Sequence, residues 1–397
     1  MENEKDNKSK GSFLTRRRIL QASAIGGAAA LAAACGTGGS NSDSAAPETD
    51  STNSDNVNKI VWANWPYYMP IDESSGAFPN LEAFTAETGI AIEYQEVYND
   101  NNEFYATSKP VLDKGQALPY DLVTPTDWMA QLWVKNGYAQ EFDKANIPNA
   151  VNLLASFANV SWDPERKYSL PYLSGFAGIG WNKAKLKEAI GTDTLTTMDQ
   201  FFDPKLKGQV LVLSELRDTI PLILGWQGAD PTNFTAEEFQ KAIDYLQSQV
   251  DNKHIVEFNG NDYAAKLEAG DVIAALGWSG DLAQLGDEYG FDLPVTGGTI
   301  YVDNLIIPAG SSQKANVEKL INYLYDPEVS ASLAAGTGYI SPVEGAAEVI
   351  AKTDPELAAN QFVFPTPELL KRAFVTMPFT PEQQAEFDAA WAKLIGN

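Results

Sequence analysis

The fold is indicated by the stretch from residue 60 to residue 135, where short apolar runs alternate with longer helical patterns. The runs are Ile60-Val61-Trp62, Ile90-Ala91-Ile92 and Asp121-Leu122-Val123. Apolar residues recur at helical spacing over residues 78–88, 103–114 and 128–135. Strands that alternate with helices predict βαβ units and a mainly parallel sheet flanked by helices.

A second set of strand patterns follows further along the chain. It comprises Gly178-Ile179-Gly180-Trp181, Val210-Leu211-Val212-Leu213, Ile255-Val256-Glu257-Phe258 and Ile273-Ala274-Ala275-Leu276, with helical patterns over residues 236–249 and 263–269. From Lys59 onward the chain has about 340 residues, more than one hydrophobic core usually serves. We therefore expect two lobes.

Aromatic and acidic residues directly follow four of the predicted strands. These segments are Asn64-Trp65-Pro66-Tyr67-Tyr68, Thr126-Asp127-Trp128, Ser214-Glu215-Leu216-Arg217-Asp218 and Trp278-Ser279-Gly280-Asp281. Open α/β sheets bind ligands at the carboxyl ends of their strands. Aromatic faces suit the methylenes and charge of an alkyl ammonium ion, at about 0.5–2 kcal/mol per contact, and carboxylates bind the amine ends.

The N-terminus predicts export. A basic segment, Thr15-Arg16-Arg17-Arg18-Ile19-Leu20, precedes an apolar run of small residues that ends at Ala34, as in a signal peptide. The run is shorter than the roughly 20 residues that a membrane-spanning helix needs. The paired arginines are typical of twin-arginine export signals, so residues 1–34 are interpreted as a twin-arginine-like lipoprotein signal.

Cys35 is the single cysteine and follows Leu31-Ala32-Ala33-Ala34. This segment resembles the lipobox of bacterial lipoproteins, which implies a lipid on Cys35 that anchors the protein to the outer face of the cytoplasmic membrane. Residues 35–58 contain almost no large apolar side chains and are predicted to form a disordered tether. The folded part has no thiol for a disulfide or a nucleophile.

Composition argues against several classes of function. The chain has 53 acidic and 28 basic residues and a formal net charge of −25, which repels nucleic acid and attracts cations. His254 is the single histidine, is predicted to lie at the surface, and has no Ser or Cys partner motif for nucleophilic catalysis. Since metal-ligand motifs are also missing from the sequence, we expect no metal, no cofactor and no catalytic residues.

The sequence resembles the spermidine/putrescine-binding proteins of the type II periplasmic receptor family over residues 60–339. The segments that carry the resemblance are Asn64-Trp65 with Tyr68, Tyr120-Asp121-Leu122-Val123-Thr124-Pro125-Thr126, Tyr168-Ser169-Leu170-Pro171-Tyr172, Glu215-Leu216-Arg217-Asp218, Gly277-Trp278 and Tyr301-Val302-Asp303-Asn304-Leu305-Ile306-Ile307-Pro308. It implies a two-lobed fold with ligand in the cleft. With the strand order, it predicts lobe 1 as residues 59–176 plus 302–345 and lobe 2 as residues 177–301 plus 346–397.

The resemblance also implies a set of ligand-binding residues. One lobe contributes Trp65, Tyr68, Thr126 and Trp128, and an aromatic box is completed by Trp278, Tyr301 and Tyr339. Asp303 matches the family's main amine-binding aspartate, and Glu215 and Asp218 match the acids of spermidine-type members. Asp281 matches the amine-binding aspartate of putrescine-type members, although an acid before residues 282–286 can also cap a helix.

We therefore expect an exported, lipid-anchored, monomeric substrate-binding component of an ABC transporter. Its partners would be a polyamine, spermidine or putrescine, and the permease subunits of the transporter. One alternative is a receptor for another small cationic metabolite. A glycosidase using Glu215 and Asp303, an adhesive lipoprotein, and a ferric-ion receptor using Tyr67 and Tyr68 are weaker alternatives.

Overall fold

The computed structural model describes residues 58–376 and 378–396. The predicted signal, Cys35 and all but the last residue of the predicted tether lie outside the described residues. The strands are β1 Lys59–Asn64, β2 Ala91–Glu96, β3 Leu122–Val123, β4 Leu170–Asn182, β5 Val210–Leu213, β6 Ile255–Asn259, β7 Ala274–Trp278, β8 Tyr289–Asp292, β9 Gly298–Leu305 and β10 Ala373–Phe374. Among the described helices, none is long and apolar enough to span a bilayer.

In the described part of the chain, fifteen α-helices accompany these strands. They are α1 Pro79–Thr88, α2 Asn101–Leu112, α3 Asp127–Lys135, α4 Lys183–Ile190, α5 Met198–Phe201, α6 Leu216–Trp226, α7 Ala236–Asp251, α8 Asp262–Ala269, α9 Ser279–Gln284, α10 Lys314–Leu324, α11 Pro327–Thr337, α12 Ala346–Ile350, α13 Pro355–Ala358, α14 Pro367–Leu370 and α15 Pro381–Ile395. The strands and helices that the sequence predicts are present, with ends that differ by a few residues, except that the strand predicted at residues 178–181 is part of the longer β4, Leu170–Asn182. The predicted α/β fold class is confirmed.

The first sheet has three parallel strands in the order β2-β1-β3. Its register pairs Lys59 with Ala91 and Trp62 with Leu122. Trp62 and Leu122 are fully buried, as expected for apolar residues in the strands of a parallel sheet.

The second sheet has seven strands and is mixed. β6, β5 and β7 are parallel, as the βαβ pattern predicts, whereas β4 runs antiparallel to β7, β8 and β9. Strand β4 has 13 residues, all buried except the last, which is partly buried. Such a continuous apolar strand is expected where both faces are covered.

The two sheets are connected at the end of β9. At one end of β4, Leu170 pairs with Leu305 of β9, and further along Ala177 pairs with Thr299. Beyond β9, Ile306 exchanges backbone hydrogen bonds of 3.0 Å with Val123 of the first sheet. The end of β9 therefore joins the second sheet to the first, while the exact lobe boundaries stay a prediction.

His254 is buried, so the prediction that it lies at the surface is wrong. It follows α7 and directly precedes β6 in the chain, and its Nε2 lies 3.2 Å from the carbonyl oxygen of Phe201. The ring of Phe202 packs against it at 5.6 Å. This burial lowers the pKa of His254, which keeps the imidazole neutral in a structural role.

Candidate functional site

The carboxyl ends of strands from both sheets surround a small cavity of about 290 Å³. Nine of the eleven residues predicted to bind ligand line it: Trp65, Tyr68, Thr126, Glu215, Asp218, Trp278, Tyr301, Asp303 and Tyr339. Asn101 and Asn261 complete the lining. The predicted residues meet because parallel strands bring the segments that follow them to one edge of each sheet.

Asp303 lies on β9 and is almost fully buried. Thr126 Oγ1 donates a hydrogen bond of 2.6 Å to one carboxylate oxygen, and the Tyr68 hydroxyl donates to the other. Burial raises the pKa of Asp303 to about 7, although these two bonds oppose the shift. A carboxyl group in this state gains more than an ordinary one from a cation placed beside it.

Glu215 precedes α6 and is 3% exposed. Its carboxylate accepts hydrogen bonds from the backbone and side-chain nitrogens of Asn101, at 2.8 and 3.2 Å. Burial raises the pKa of Glu215, and the charges of Asp100 and Asp218 raise it further. Three neighbouring acids thus disfavour ionisation of one another unless a cation is present.

Asp218 lies in the first turn of α6. It accepts hydrogen bonds from Trp278 Nε1 at 2.9 Å and from Thr299 Oγ1 at 3.1 Å. Burial raises the pKa of Asp218 to about 6 against these two bonds. Because α6 begins immediately after Glu215, the same turn carries both acids into the cavity.

Aromatic rings form the remaining walls of the small cavity. Trp65 and Trp278 lie edge to face with centroids 6.2 Å apart, and Tyr68 packs on Tyr339 at 4.5 Å. The Trp65 indole is fixed by a 2.7 Å hydrogen bond to the Thr124 carbonyl oxygen. These fixed rings can cover a short methylene chain without losing much side-chain entropy.

Asp281 does not line the small cavity, although it belongs to the predicted site. Its carboxylate is fully buried and accepts hydrogen bonds from Asn261 Nδ2 at 3.0 Å, Tyr263 hydroxyl at 3.0 Å and Tyr339 hydroxyl at 2.6 Å. Two of these donors, Asn261 and Tyr339, are themselves wall residues. Asp281 thus supports the wall from behind, and its binding of an amine stays a prediction.

The interpretation of Asp281 as the N-cap of a helix is wrong. α9 begins at Ser279, and Trp278 is its N-cap residue, so Asp281 lies inside the first turn. The turn fits closely against Tyr339, since a Cβ atom on Gly280 would lie 2.3 Å from the tyrosine ring. A residue without a side chain is therefore required there.

Trp128 lies outside the small cavity. Its ring lines a larger adjoining cavity of about 1460 Å³ and stacks with the Arg217 guanidinium, whose carbon is 4.8 Å from the ring centroid. Trp128 is the second residue of α3, and successive helical residues point about 100° apart. Proximity in sequence to Thr126 therefore does not place its ring in the same cavity.

Sequence reasoning missed Asn101 and Asn261. Asn101 opens α2 after β2, and Asn261 stands two residues beyond the end of β6. Both occupy strand ends, the same signal that indicates the other cavity residues. They carry neither an aromatic ring nor a charge, so a prediction based on aromatic and acidic residues does not include them.

The segments after β2 and β5 meet directly. Ser214 Oγ donates a 3.1 Å hydrogen bond to Asp100, beside the contact between Asn101 and Glu215. Gly260 packs against this segment so closely that a Cβ atom would lie 2.0 Å from the Asn99 carbonyl oxygen. The strand ends of the two sheets are therefore in contact around the small cavity.

Two connected sheets, with an acidic and aromatic cavity at the strand ends, have the architecture of type II solute-binding proteins. The family model described as bacterial extracellular solute-binding protein matches residues 81–360. The chain belongs to this family.

The similar proteins of known name bear out the resemblance to spermidine/putrescine-binding proteins. The chain is 30% identical over 321 residues to the spermidine/putrescine-binding periplasmic protein of Escherichia coli K12, covering 80% of this chain and 86% of the relative. It is 27% identical over 356 residues to the putrescine-binding periplasmic protein SpuD of Pseudomonas aeruginosa, covering 85% and 92%. Both relatives are named for binding polyamines.

Solved structures show the same fold. A putative spermidine/putrescine ABC transporter protein from Listeria monocytogenes superposes with a TM-score of 0.72 at 23% identity, covering 85% of this chain and 98% of its own. The TpPotD lipoprotein of Treponema pallidum superposes with a TM-score of 0.69 at 21% identity, covering 85% and 100%. The two-lobed type II fold class is thereby confirmed.

Proposed function

We propose that this chain is the substrate-binding component of an ABC transporter and that it binds spermidine or putrescine in the small cavity. One observation carries the proposal: the carboxyl groups of Glu215, Asp218 and Asp303 line one cavity among aromatic rings, and each has a raised pKa. Such a group of acids is costly to ionise when buried, and bound ammonium groups remove that cost.

In this proposal each wall has a distinct task. Asp303, held by Thr126 and Tyr68, pairs with one ammonium group, and the acids before and within α6 pair with another. Rings such as Trp65 and Trp278 cover the methylenes and attract the charge through their faces. Trp128 and Asp281 remain in the proposed binding set, with roles that depend on how far the ligand extends.

The two lobes are proposed to close around the ligand. The contacts of Asn101 with Glu215 and of Ser214 with Asp100 join the strand ends of the two sheets, which supports a closed arrangement in this structure. A ligand that touches both sides favours that arrangement by its differential affinity. The closed receptor would then deliver the polyamine to its permease.

The family favours binding over catalysis, because its members are solute-binding proteins. Among the described residues, no group of three or more His, Cys, Asp or Glu side chains is arranged to hold a metal ion. The glycosidase and ferric-ion alternatives rank below a solute receptor because of this family membership. A different small cationic metabolite remains the alternative ligand to be tested.

Lipid attachment at Cys35 and export through a twin-arginine signal are also part of the proposal. They rest on the sequence of residues 1–35 and on the relatives, which are named as periplasmic proteins. A Cys35→Ala variant is expected to leave the membrane fraction after a high-salt wash. Retention of that variant on the membrane would place the anchor elsewhere.

Isothermal titration calorimetry tests the central proposal. Spermidine, putrescine, basic amino acids, sugars and ferric ion should be titrated into the purified chain. We expect saturable binding of at least one polyamine, weaker binding of basic amino acids, whose carboxylate faces the acidic wall, and none of sugars or ferric ion. Tighter binding of a non-polyamine cation would replace the proposed ligand.

A further inference from the structure

The larger adjoining cavity extends the space beside the small cavity. Its empty volume, which includes space open to solvent, is about 1460 Å³, against about 290 Å³ for the small cavity. Four residues line both: Thr126, Glu215, Asp218 and Tyr301. The two cavities are thus neighbours that share a boundary, and two of the four shared residues are acids.

The larger cavity differs in chemistry from the small one. Much of its wall is apolar, contributed by Leu154, Phe157, Val160, Ile300, Ile340 and Leu370. Arg166 and Arg217 also line it. Asp127 lines it as well, beside the shared acids Glu215 and Asp218. The charged residues of the larger cavity thus carry both signs, whereas those of the small cavity are all acids.

Two apolar side chains at the larger cavity are left open to solvent. Leu370 is 43% and Val375 65% exposed, which places both among the few large apolar side chains that the described part of the chain exposes. A ligand lying there would remove this surface from water.

One wall of the larger cavity is flat and stacked. The Arg217 guanidinium lies 4.8 Å from the Trp128 ring centroid and 3.8 Å from that of Phe379, and its Nη2 donates a 2.6 Å hydrogen bond to Gln384. Stacking and hydrogen bonding hold the group in place. Trp128 and Arg217 therefore form a wall of the larger cavity whose side chains are already held in place.

We propose that the larger cavity binds an apolar alkyl substituent carried on one nitrogen of the polyamine, so that the receptor accepts N-alkylated polyamines. This inference rests on the proposed polyamine function of the small cavity. The charged chain lies among the acids and rings, and the substituted nitrogen lies at the shared boundary formed by Glu215 and Asp218. A secondary ammonium there still has two N–H donors for these carboxylates.

Calorimetry with putrescine and its N-propyl, N-pentyl and N-heptyl derivatives tests the proposal. Each methylene that enters an apolar wall should strengthen binding by up to about fourfold. We expect the affinity to rise along the series and to exceed that of putrescine. Affinity that stays level or falls with chain length would overturn the proposal.

A pair of matched double variants locates the substituent. Leu370→Arg with Val375→Arg places charge at the larger cavity, while Val256→Arg with Val295→Arg adds the same charge at valines that are 50% and 64% exposed and line neither cavity. The gain with chain length should vanish in the first variant and persist in the second. Equal gains in both would place the alkyl group elsewhere and overturn the proposal.

Titration with unsubstituted putrescine distinguishes a failure of the proposed function from a failure of the proposal for the larger cavity. If putrescine and spermidine both fail to bind the unaltered chain, the proposed function fails and the larger cavity loses its basis. If putrescine binds but alkylation brings no gain, the proposal for the larger cavity fails alone. Putrescine binding should also be the same in both double variants, which shows that their fold is intact.

Discussion

Asp303 and Asp281 are two buried aspartates that contact neighbouring tyrosines yet occupy opposite situations. Asp303 faces the small cavity with two side-chain hydrogen bonds, and its pKa is raised to about 7. Asp281 lies behind the wall and accepts bonds from Asn261, Tyr263 and Tyr339. A buried carboxyl group that faces open space and has a raised pKa indicates a ligand contact. A buried carboxyl group whose oxygens already accept bonds from several protein donors indicates a residue that supports the cavity wall.

The largest effect is expected at Asp303. Asp303→Ala should weaken binding of both spermidine and putrescine by about 2–5 kcal/mol, the usual consequence of truncating one partner of a buried charge pair. Titration calorimetry measures this loss. Asp303→Asn, which preserves the shape, should lose nearly as much, and full affinity in Asp303→Asn would show that charge at this position is not used.

Binding should depend on pH through the same carboxyl groups. The folded-state pKa values of about 7 for Asp303 and about 6 for Asp218 lie above the ordinary value of 3.8. Polyamine affinity should therefore rise between pH 5 and pH 7.5, by up to about tenfold per unit for each group that must ionise. Affinity that is flat over this interval in calorimetric titrations would contradict the assignment.

The stability of the ligand-free protein should move in the opposite direction. A carboxyl group whose pKa is raised on folding holds its proton in the folded chain after the unfolded chain has lost it. Such a group therefore adds to the free energy of unfolding below about pH 4, and this stabilising contribution is lost as pH rises toward about 7. Urea denaturation at several pH values should show a steeper fall for the unaltered chain than for Asp303→Asn.

Asp281→Ser should mainly affect stability. It leaves buried donors of Asn261, Tyr263 and Tyr339 without their acceptor, which costs about 1–3 kcal/mol in the free energy of unfolding. As a support, it should weaken spermidine and putrescine binding by the same factor. A loss of about 2–5 kcal/mol in binding free energy that is confined to putrescine would instead establish Asp281 as an amine-binding residue. The contrast between Asp281 and Asp303 would then be wrong.

The smallest effect is expected at Trp128. Since its ring lies outside the small cavity, Trp128→Ala should change putrescine affinity by less than about twofold. Trp65→Ala is the matched control, and it should lose the roughly 0.5–2 kcal/mol of one ring contact. If Trp128→Ala weakened putrescine binding as much as Trp65→Ala, the ligand would have to extend across the boundary that the two cavities share.

The sequence predicts strand ends well and side-chain directions poorly. Trp65, Glu215 and Trp278 were found because apolar runs mark the strands and the topology brings their ends together. The course of β4 across three antiparallel partners was not foreseen, since its glycine-rich stretch has no partner signal in the sequence.

Predictions of side-chain direction fail because the direction depends on the residue at which a helix begins. Starting α9 at Ser279 instead of Leu282 moves Asp281 from the cap position into the first turn, and each residue of shift rotates a side chain by about 100°. Asn101 escapes the sequence prediction for a related reason, because the helical pattern predicts a start at residue 103 whereas α2 begins at Asn101.

The hydrogen bond from Trp278 to Asp218 gives the cavity an optical property. The indole donates to a carboxylate at 2.9 Å and faces a second indole, that of Trp65, at 6.2 Å. The emission of an indole shifts with the electric field along its ring, and an ammonium group beside Asp218 changes that field. Occupancy of the cavity is therefore expected to be visible in the intrinsic fluorescence of the protein, so that ligand can be followed without a label.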